Sequence, residues 1–428
     1  MIPAILKVLT VFIIVLSLNR LKVQLSLSLL LGALVLALWM GLAPLQWALI
    51  AVRAAAQPQT VSLLLVVGLI LIMSRLMKEA GQMDRLVKSF SRFTRDTRKV
   101  GSVIAALIGL LPMPGGALFS APLVEASLSD HELTGEQKTV VNYWFRHIWE
   151  YWWPLYPGVV LAVALLEVDT WQFMVTMMPM TLLSVLAGAV FILQPIRNER
   201  VPEKRRVSFK AVREFVLEIM PILIVILVII FLGGVTAVMN RLGFHLKIPG
   251  SVSILPGLLA SLCWVCRTNR IPFGRIKNAV LDKGLLPLLL LLLTIMIFKS
   301  TLIESRAVLQ IRDELIAYRI PLTLVVMFIP FISGLVTGVA VGFVGTSFPL
   351  VISMFPSHSL FEYLSYAALA YTFGYMGMML SPVHLCFLVT KDYYRADMMK
   401  SYRRLILPVL SVLSVVTLLF FLTRLLLH

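Results

Sequence analysis

Residues 110–124 read Leu-Leu-Pro-Met-Pro-Gly-Gly-Ala-Leu-Phe-Ser-Ala-Pro-Leu-Val, an apolar stretch with helix breakers in its middle. Proline lacks an N–H and clashes with the preceding helical turn, and paired glycines add backbone freedom. A lipid-facing helix does not tolerate such a break, because every orphaned backbone group is costly in hydrocarbon. The break is therefore expected to be buried in protein or to line a wet cavity.

The composition of the chain indicates that lipid is the relevant solvent. Hydrophobic residues make up 59% of the chain and charged residues 14%, whereas a globular protein carries roughly 25% charge. Runs of the ~20 apolar residues that cross a bilayer recur along the chain. We predict an all-α membrane protein of about ten transmembrane helices, with no soluble domain large enough to fold alone. The predicted spans are 2–18, 24–50, 59–77, 139–166, 172–195, 214–238, 249–265, 283–299, 361–390 and 403–427.

The basic residues predict the orientation of these spans. The loops grouped with 75–100 hold 28 Lys and Arg, and the loops on the opposite side hold about 8. Basic loops face the cytoplasm, so we predict a multi-pass protein of the cell (inner) membrane with both termini outside. This unequal distribution requires 101–126 and 322–356 to be re-entrant hairpins, which enter and leave the membrane on the same side. If they crossed the membrane as kinked spans, the segments after them would change sides and the unequal distribution would be lost. The predicted cytoplasmic loops are 19–23, 75–100, 127–138, 196–213, 266–283 and 391–404.

The second hairpin repeats the sequence pattern of the first. Residues 115–124 and 342–351 both read G-x-x-x-x-S-x-P-L-V, at an offset of 227. At an offset one residue larger, Pro154 aligns with Pro382. Each copy contains, in order, an apolar span, a charged amphipathic stretch, a hairpin and a Pro-interrupted span.

These matches predict two repeats, 1–195 and 214–428, joined by a cytoplasmic linker at 196–213. Each repeat has five spans and one hairpin, and the odd number of crossings inverts the second repeat relative to the first. Inverted repeats are typical of secondary transporters, which bind substrate near the midplane between the repeats. The free N–H groups of a broken helix suit an anion, and its unwound carbonyls suit a cation.

The segment 142–154, Asn-Tyr-Trp-Phe-Arg-His-Ile-Trp-Glu-Tyr-Trp-Trp-Pro, places charges inside a predicted span. Arg146 and Glu150 are spaced i, i+4, which puts them on one helical face together with Asn142. Two interpretations stay open: an internal ion pair, or an Arg146 that binds an anionic substrate while Glu150 or His147 carries a coupling proton.

For His384, Trp152 and Trp153, which also lie in the interrupted spans, a structural role is considered beside a functional one. In the second copy His384 takes the corresponding place. Its imidazole either bonds to a backbone carbonyl in a structural role or has a functional role. Trp152 and Trp153 are predicted to belong to an interfacial aromatic belt.

Several function classes are not favoured by the sequence. The net charge of +17 lies in short loops and not in a basic domain, so no nucleic-acid binding is expected. Three cysteines give no disulfide framework, and the H-x-x-E of His147 and Glu150 has no further ligand at helpful spacing. We predict no metal, no cofactor and, in the absence of H-E-x-x-H, G-x-S-x-G and P-loop patterns, no enzyme.

Three segments, 111–124, 142–154 and 374–385, resemble a prokaryotic integral membrane protein family of unknown function. That family is similar to the ion transporter superfamily, which includes gluconate permeases, citrate carriers and sodium-coupled dicarboxylate carriers. The resemblance implies a homodimer whose moving transport domain carries substrate between the two hairpin tips by an elevator motion. The dicarboxylate carriers have Ser-Asn-Thr at both tips, where this chain has 119–121 (Phe-Ser-Ala) and 345–347 (Gly-Thr-Ser).

The sequence thus predicts a secondary active transporter of a small organic anion of carboxylate type, coupled to H⁺ or Na⁺. The alternative is a channel or passive pore of the same architecture. The predicted coupling residues are His147, Glu150 and His384. The predicted substrate-binding residues are Pro114, Gly115, Gly116, Ser120, Asn142, Arg146, Gly342, Gly345, Thr346, Ser347 and Ser381.

Overall fold

The computed structural model describes residues 2–90, 97–112, 116–128, 133–196, 209–244, 250–356 and 359–427, and these form helices and no β-strand. A π-helical turn extends the tenth helix, and short 3₁₀ turns precede the fourteenth and follow the seventeenth. The helices are α1 Ala4–Arg20, α2 Leu25–Trp39, α3 Pro44–Ala56, α4 Pro58–Glu79, α5 Gln82–Phe90, α6 Thr97–Ile108, α7 Gly116–Ser127, α8 Gly135–Arg146, α9 Pro157–Leu166, α10 Thr170–Gly188, α11 Phe209–Arg241, α12 Gly250–Thr268, α13 Phe273–Val280, α14 Leu286–Glu304, α15 Ala307–Ala317, α16 Leu322–Thr337, α17 Ala340–Val351, α18 Leu360–Met379, α19 Leu385–Tyr393 and α20 Met398–Leu427.

The described helices confirm the all-α class and suggest a multi-pass membrane protein. Five helical stretches are long and apolar enough to cross a bilayer. Large apolar side chains such as Leu186, Phe231 and Leu418 point outward at 58% exposure or more, where a water-soluble protein would carry polar residues. The five stretches are Pro58–Glu79, Thr170–Leu193, Val212–Arg241, Phe273–Glu304 and Met398–Leu425.

The predicted single span at 24–50 is two helices, α2 and α3. Gly41, between them, has a φ of +93°, which residues with a side chain rarely adopt. Pro44 lies in the first turn of α3, where its missing N–H costs nothing. The apolar run therefore continues across 40–43, but the helix does not.

The first interrupted stretch forms an antiparallel hairpin of α6 and α7. A methyl group on Gly101, near the start of α6, would come within 3.1 Å of Leu128 and 3.2 Å of the Ser127 hydroxyl, at the end of α7. The two ends of the stretch therefore lie side by side. The chain doubles back here and does not continue in one direction.

The second interrupted stretch forms a hairpin of α16 and α17 in the same way. Gly338 ends α16 with a φ of +66°, a left-handed conformation that glycine adopts without strain. Ser333 on α16 and Thr346 on α17 share a hydrogen bond across the hairpin. At its open end, Tyr366 contacts both Thr323 and Phe355. This stretch also begins and ends at the same place.

Each hairpin packs against helices from both halves of the chain. The span α8–α9 is interrupted at 147–156, and α18–α19 at 380–384. The first hairpin contacts α8 with both arms, and its second arm α7 also contacts α19. The second hairpin contacts α18 with both arms, and its second arm α17 also contacts α9. This crossed packing brings the two interruptions together in the protein core.

Contacts between loops join segments that the charge distribution assigns to one side. Arg75 pairs with Asp282, both in predicted cytoplasmic loops. At the predicted outer side, the Glu314 carboxylate accepts a hydrogen bond from the Ala4 N–H at 2.6 Å. Lys299 and Glu167 form a further pair between predicted outer loops. Arg85 with Glu218 and Lys138 with Glu125 join predicted cytoplasmic loops to the adjoining ends of a predicted span and of the first hairpin.

Candidate functional site

Arg146, His147 and Glu150 lie at the first interruption, deep inside the protein. Their exposed fractions are 3%, 1% and 8%. Helix α8 ends at Arg146, and Glu150 lies in the turns that follow. The i, i+4 spacing therefore does not place the two charges on one helical face as predicted. The Glu150 carboxylate lies 3.9 Å from His147 Nε2.

Tyrosine hydroxyls satisfy the backbone carbonyls that the interruption leaves free. Tyr375 donates to the His147 carbonyl at 2.5 Å, and Tyr371 donates to the Glu150 carbonyl at 2.8 Å. Both tyrosines come from α18, in the other half of the chain. These donors explain how unwound backbone persists in an apolar core, where an unpaired carbonyl would be costly.

A tryptophan side chain does the same for the first hairpin, and this corrects the predicted interfacial position of Trp153. Trp153 is 5% exposed and donates to the Leu110 carbonyl at 2.9 Å. Trp152 donates to the Thr181 hydroxyl at 2.9 Å. Trp153 therefore belongs to the core and not to an interfacial belt, whereas Trp152 is half-buried and bonds to α10.

The Arg146 guanidinium lies between α7 and α19. A methyl group on Gly116, the first residue of α7, would collide with Arg146 Nη2. Arg146 Nη1 donates to Cys386 Sγ, in the first turn of α19, at 3.4 Å. The guanidinium thus connects the tip of the first hairpin to the second interruption.

Asn142 lies one turn before Arg146 and carries an acceptor that no described residue satisfies. Its Nδ2 donates to the Ala117 carbonyl at 3.5 Å and to the Thr390 hydroxyl at 3.4 Å. Its Oδ1 is buried without a hydrogen-bond partner in the described part of the chain. Buried acceptors are nearly always paired in folded proteins. The Asn142 Oδ1 can therefore accept a hydrogen bond from a bound ligand or coordinate a bound cation.

The second interruption brings His384 against His147. The two rings lie 4.9 Å apart, edge to face. The possible ligand atoms of His147, His384 and Cys386 all lie within 4.8 Å of one another. The sequence did not predict this group, because its members are far apart along the chain. Only the pair His384 and Cys386, two residues apart, gave a local signal.

The remaining predicted site residues have contacts within the hairpins. Thr346 bonds to Ser333 and to the Gly342 carbonyl, and Ser347 donates to the Phe343 carbonyl at 2.6 Å. A methyl group on Gly345 would collide with Ile295 of α14. These contacts join α17 to its neighbours.

Ser120 and Ser381 also bond to nearby backbone. Ser120 donates to the Ala117 carbonyl at 3.2 Å, and Ser381 donates to the Leu335 carbonyl at 2.7 Å. Pro114 and Gly115 lie outside the described residues.

A cavity of about 220 Å³ lies elsewhere, between α9, α14, α17 and α18. Its lining includes the ion pair of Glu167 with Lys299, and also Pro349 and Tyr363. Among the described residues, no member of the predicted site lines this cavity. With its cation already paired and its other walls mostly apolar, it is poorly suited to hold an anion.

Comparison with known proteins assigns the chain to a family. No curated protein matches it. A family model described as "Protein of unknown function (DUF401)" matches residues 3–423, which is nearly the whole chain. The chain therefore belongs to the DUF401 family, whose function is unknown.

Proposed function

We propose that this protein is a secondary active transporter of a small organic anion of carboxylate type, coupled to H⁺ or Na⁺. The observation that carries the proposal is the position of Arg146. Its guanidinium lies against the first residue of α7 and beside the second interruption. The membrane class, the hairpins and the meeting of two interrupted spans supply the context.

The surroundings of Arg146 favour an anion. The start of a helix carries free N–H groups and a partial positive charge of about half an elementary charge. A guanidinium presents its N–H groups as a planar fork that matches a carboxylate in bidentate fashion. Two positive groups at the tip of one hairpin are expected to share a negatively charged ligand.

The order of the helices supports an inverted repeat. α4 and α14 begin at Pro58 and Leu286, and α9 and α19 begin at Pro157 and Leu385, a difference of 228 in each pair. Every helix from α2 to α10 has a counterpart from α12 to α20 whose start is 224 to 229 residues later. The packing follows the same correspondence: α7 packs on α19, and their counterparts α17 and α9 pack on each other.

The hairpins support a site at mid-depth in the membrane. α6 and α7 have 12 residues each, so each arm spans about 18 Å. A bilayer core is ~30 Å thick. Arms of this length that begin and end on one side would place the tip near the midplane, where secondary transporters bind substrate.

The coupling ion is proposed to bind beside the anion. His147, Glu150 and His384 remain the candidates for carrying a proton, because they lie together and are shielded from solvent. The unsatisfied Asn142 Oδ1 is the candidate oxygen for Na⁺. The resemblance to carriers of the ion transporter superfamily adds the proposal of a homodimer with elevator motion. The distribution of basic residues adds the proposal that the protein lies in the inner membrane with both termini outside.

Uptake into proteoliposomes tests the proposal. Purified protein would be reconstituted and given labelled carboxylates under imposed H⁺ or Na⁺ gradients, with protein-free liposomes and collapsed gradients as controls. We expect saturable, gradient-dependent accumulation of at least one carboxylate, lost in Arg146→Ala. Absence of gradient-dependent flux for any anion in a broad panel would contradict the transporter. Non-saturating electrogenic conductance would instead support the channel alternative.

A further inference from the structure

Three metal-ligating side chains from the two interruptions converge in the core. His147 follows α8, while His384 caps the start of α19 and Cys386 lies in its first turn. One possible ligand atom from each of the three lies within 4.8 Å of those from the other two. Two imidazoles and one thiolate suit Zn²⁺ and similar transition metals, whereas Mg²⁺ and Ca²⁺ prefer oxygen.

The second nitrogen of each imidazole is held by backbone. His147 Nδ1 lies 2.6 Å from the Tyr143 carbonyl, and His384 Nδ1 lies 3.4 Å from the Met378 carbonyl. A carbonyl oxygen only accepts, so in each ring Nδ1 carries the hydrogen and Nε2 keeps its lone pair. A ligating histidine usually makes this kind of bond through its other nitrogen, which fixes the tautomer and the ring orientation.

The two rings are also fixed by packing. The Tyr143 ring lies edge-on to both, 4.9 Å from His147 and 5.2 Å from His384. Tyr143 itself is anchored by its hydroxyl, which donates to the Met379 carbonyl at 3.0 Å. A tetrahedral zinc site has ligand atoms about 3.3 to 3.7 Å apart, so side-chain shifts of about 1 Å would close the group around an ion.

The neighbouring charges are compatible with a dication. Arg146 donates to Cys386 Sγ at 3.4 Å, which stabilises negative charge on the sulfur. The Glu150 carboxylate lies 3.9 Å from His147 Nε2 and would have to rotate toward the other two side chains to serve as a fourth ligand. The thiolate and the carboxylate together would balance a divalent ion, and Cys386 would release its proton to water on binding.

We propose that His147, His384 and Cys386, with Glu150 as fourth ligand, form a binding site for Zn²⁺ or a similar transition-metal ion. The ion would join the first interruption to the second and hold the two halves of the chain together at their centre. This site adjoins the proposed anion site at Arg146, and anion binding and metal binding can each stand if the other fails. His147, Glu150 and His384 are also the proposed proton carriers, however, and they cannot bind a metal ion and carry a proton at the same time.

Spectroscopic titration with Co²⁺ tests the site. The full chain, purified without a polyhistidine tag and stripped of metal, would be titrated with Co²⁺ and then with Zn²⁺. We expect one ion per protomer, visible bands typical of tetrahedral Co²⁺, a near-ultraviolet thiolate-to-cobalt band, and displacement of Co²⁺ by Zn²⁺. No stoichiometric binding, or octahedral bands without the thiolate band, would overturn the proposal.

Matched variants assign the ligands. Cys386→Ser is expected to remove the thiolate band, and His384→Ala to weaken Zn²⁺ binding by at least about 10-fold. The control is the double variant Cys263→Ser and Cys266→Ser, which removes the remaining cysteines and is expected to change neither. Loss of the band in the control but not in Cys386→Ser would overturn the proposal. Thermal melting of each metal-free variant, compared with the parent, shows whether the variant folds. If His384→Ala fails to fold, His384→Gln takes its place.

Discussion

The two interrupted spans occupy corresponding places in the two halves but differ in length and chemistry. The first, at 147–156, follows Arg146 and contains His147 and Glu150. The second, at 380–384, is shorter and contains no charged residue. The order of the helices recurs at a similar spacing in the two halves, while the chemistry of the two interruptions differs. Where the two interruptions meet, the charged side chains Arg146 and Glu150 come from the first half, and the second half supplies His384, Cys386 and hydrogen-bond donors around them.

The difference extends to how the backbone is held. The first interruption depends on tyrosines of α18, including Tyr375. The second is held by Ser381, whose hydroxyl donates to Leu335, and by Tyr402, which donates to the Ser381 carbonyl at 2.8 Å. A similar close approach of helix backbones occurs in each half: Gly109 lies against the Arg146 backbone, and Gly334 against that of Gly374.

The largest expected effect is all-or-none and concerns the hairpin ends. In a chain whose three cysteines are replaced by serine, we expect Ser127→Cys to be labelled from the same face as Lys78→Cys. We expect Ser353→Cys to be labelled from the opposite face, together with Glu304→Cys. The measurement is reaction with a membrane-impermeant maleimide in sealed vesicles of known orientation. Labelling of Ser127→Cys and Lys78→Cys from different faces would show that the first stretch crosses the membrane.

The next largest effect concerns the difference in charge between the two interruptions. Removing one member of a buried, hydrogen-bonded charged contact costs about 2–5 kcal/mol, and each 1.4 kcal/mol is about tenfold. Arg146→Ala is therefore expected to lower carboxylate uptake by about 100-fold, and Arg146→Lys by less. Ser381→Ala, at the second interruption, is the matched substitution and is expected to lower uptake only severalfold. Equal losses in the initial rate of uptake would mean that the charge is not decisive.

A smaller effect is expected at the close helix approaches. In both Gly109→Ala and Gly334→Ala the new methyl group would collide with a backbone carbonyl, and overpacking of this kind costs about 1–3 kcal/mol. Gly68→Ala and Gly234→Ala are the controls, because a methyl group there meets nothing within 4 Å. The free energy of unfolding in detergent measures the effect. Destabilisation by only one of the two test substitutions would show that the halves do not share this contact.

The smallest effect is expected from single hydroxyls. Tyr375→Phe leaves the His147 carbonyl without its donor, and Tyr402→Phe does the same for Ser381. Each is expected to lower the free energy of unfolding by about 1 kcal/mol, and only Tyr375→Phe to reduce uptake as well. Tyr318→Phe, on an exposed side chain, is the control. An equal loss of uptake in the first two variants would remove the functional difference between the interruptions.

Much of the architecture could be predicted from local sequence signals. Apolar length predicted the long helices, and the helix breakers of 110–124 together with the distribution of basic loops predicted the two hairpins. The predictions failed where the determining contact lies elsewhere in the chain. The i, i+4 spacing of Arg146 and Glu150 assumed a continuous helix, but tyrosines of α18 stabilise an unwound segment there. The indole of Trp153 was expected at the lipid interface but finds the Leu110 carbonyl inside.

The sequence by itself determined that the chain is apolar, helical and interrupted at defined places, because hydropathy, proline and glycine act over a few residues. The tertiary structure alone decided which interruptions meet. It placed Arg146 at the start of α7 and brought His147 to His384 and Cys386, because these contacts join residues more than two hundred positions apart or on different helices. No local pattern encodes such a distance. It follows from the packing of each hairpin against helices of both halves.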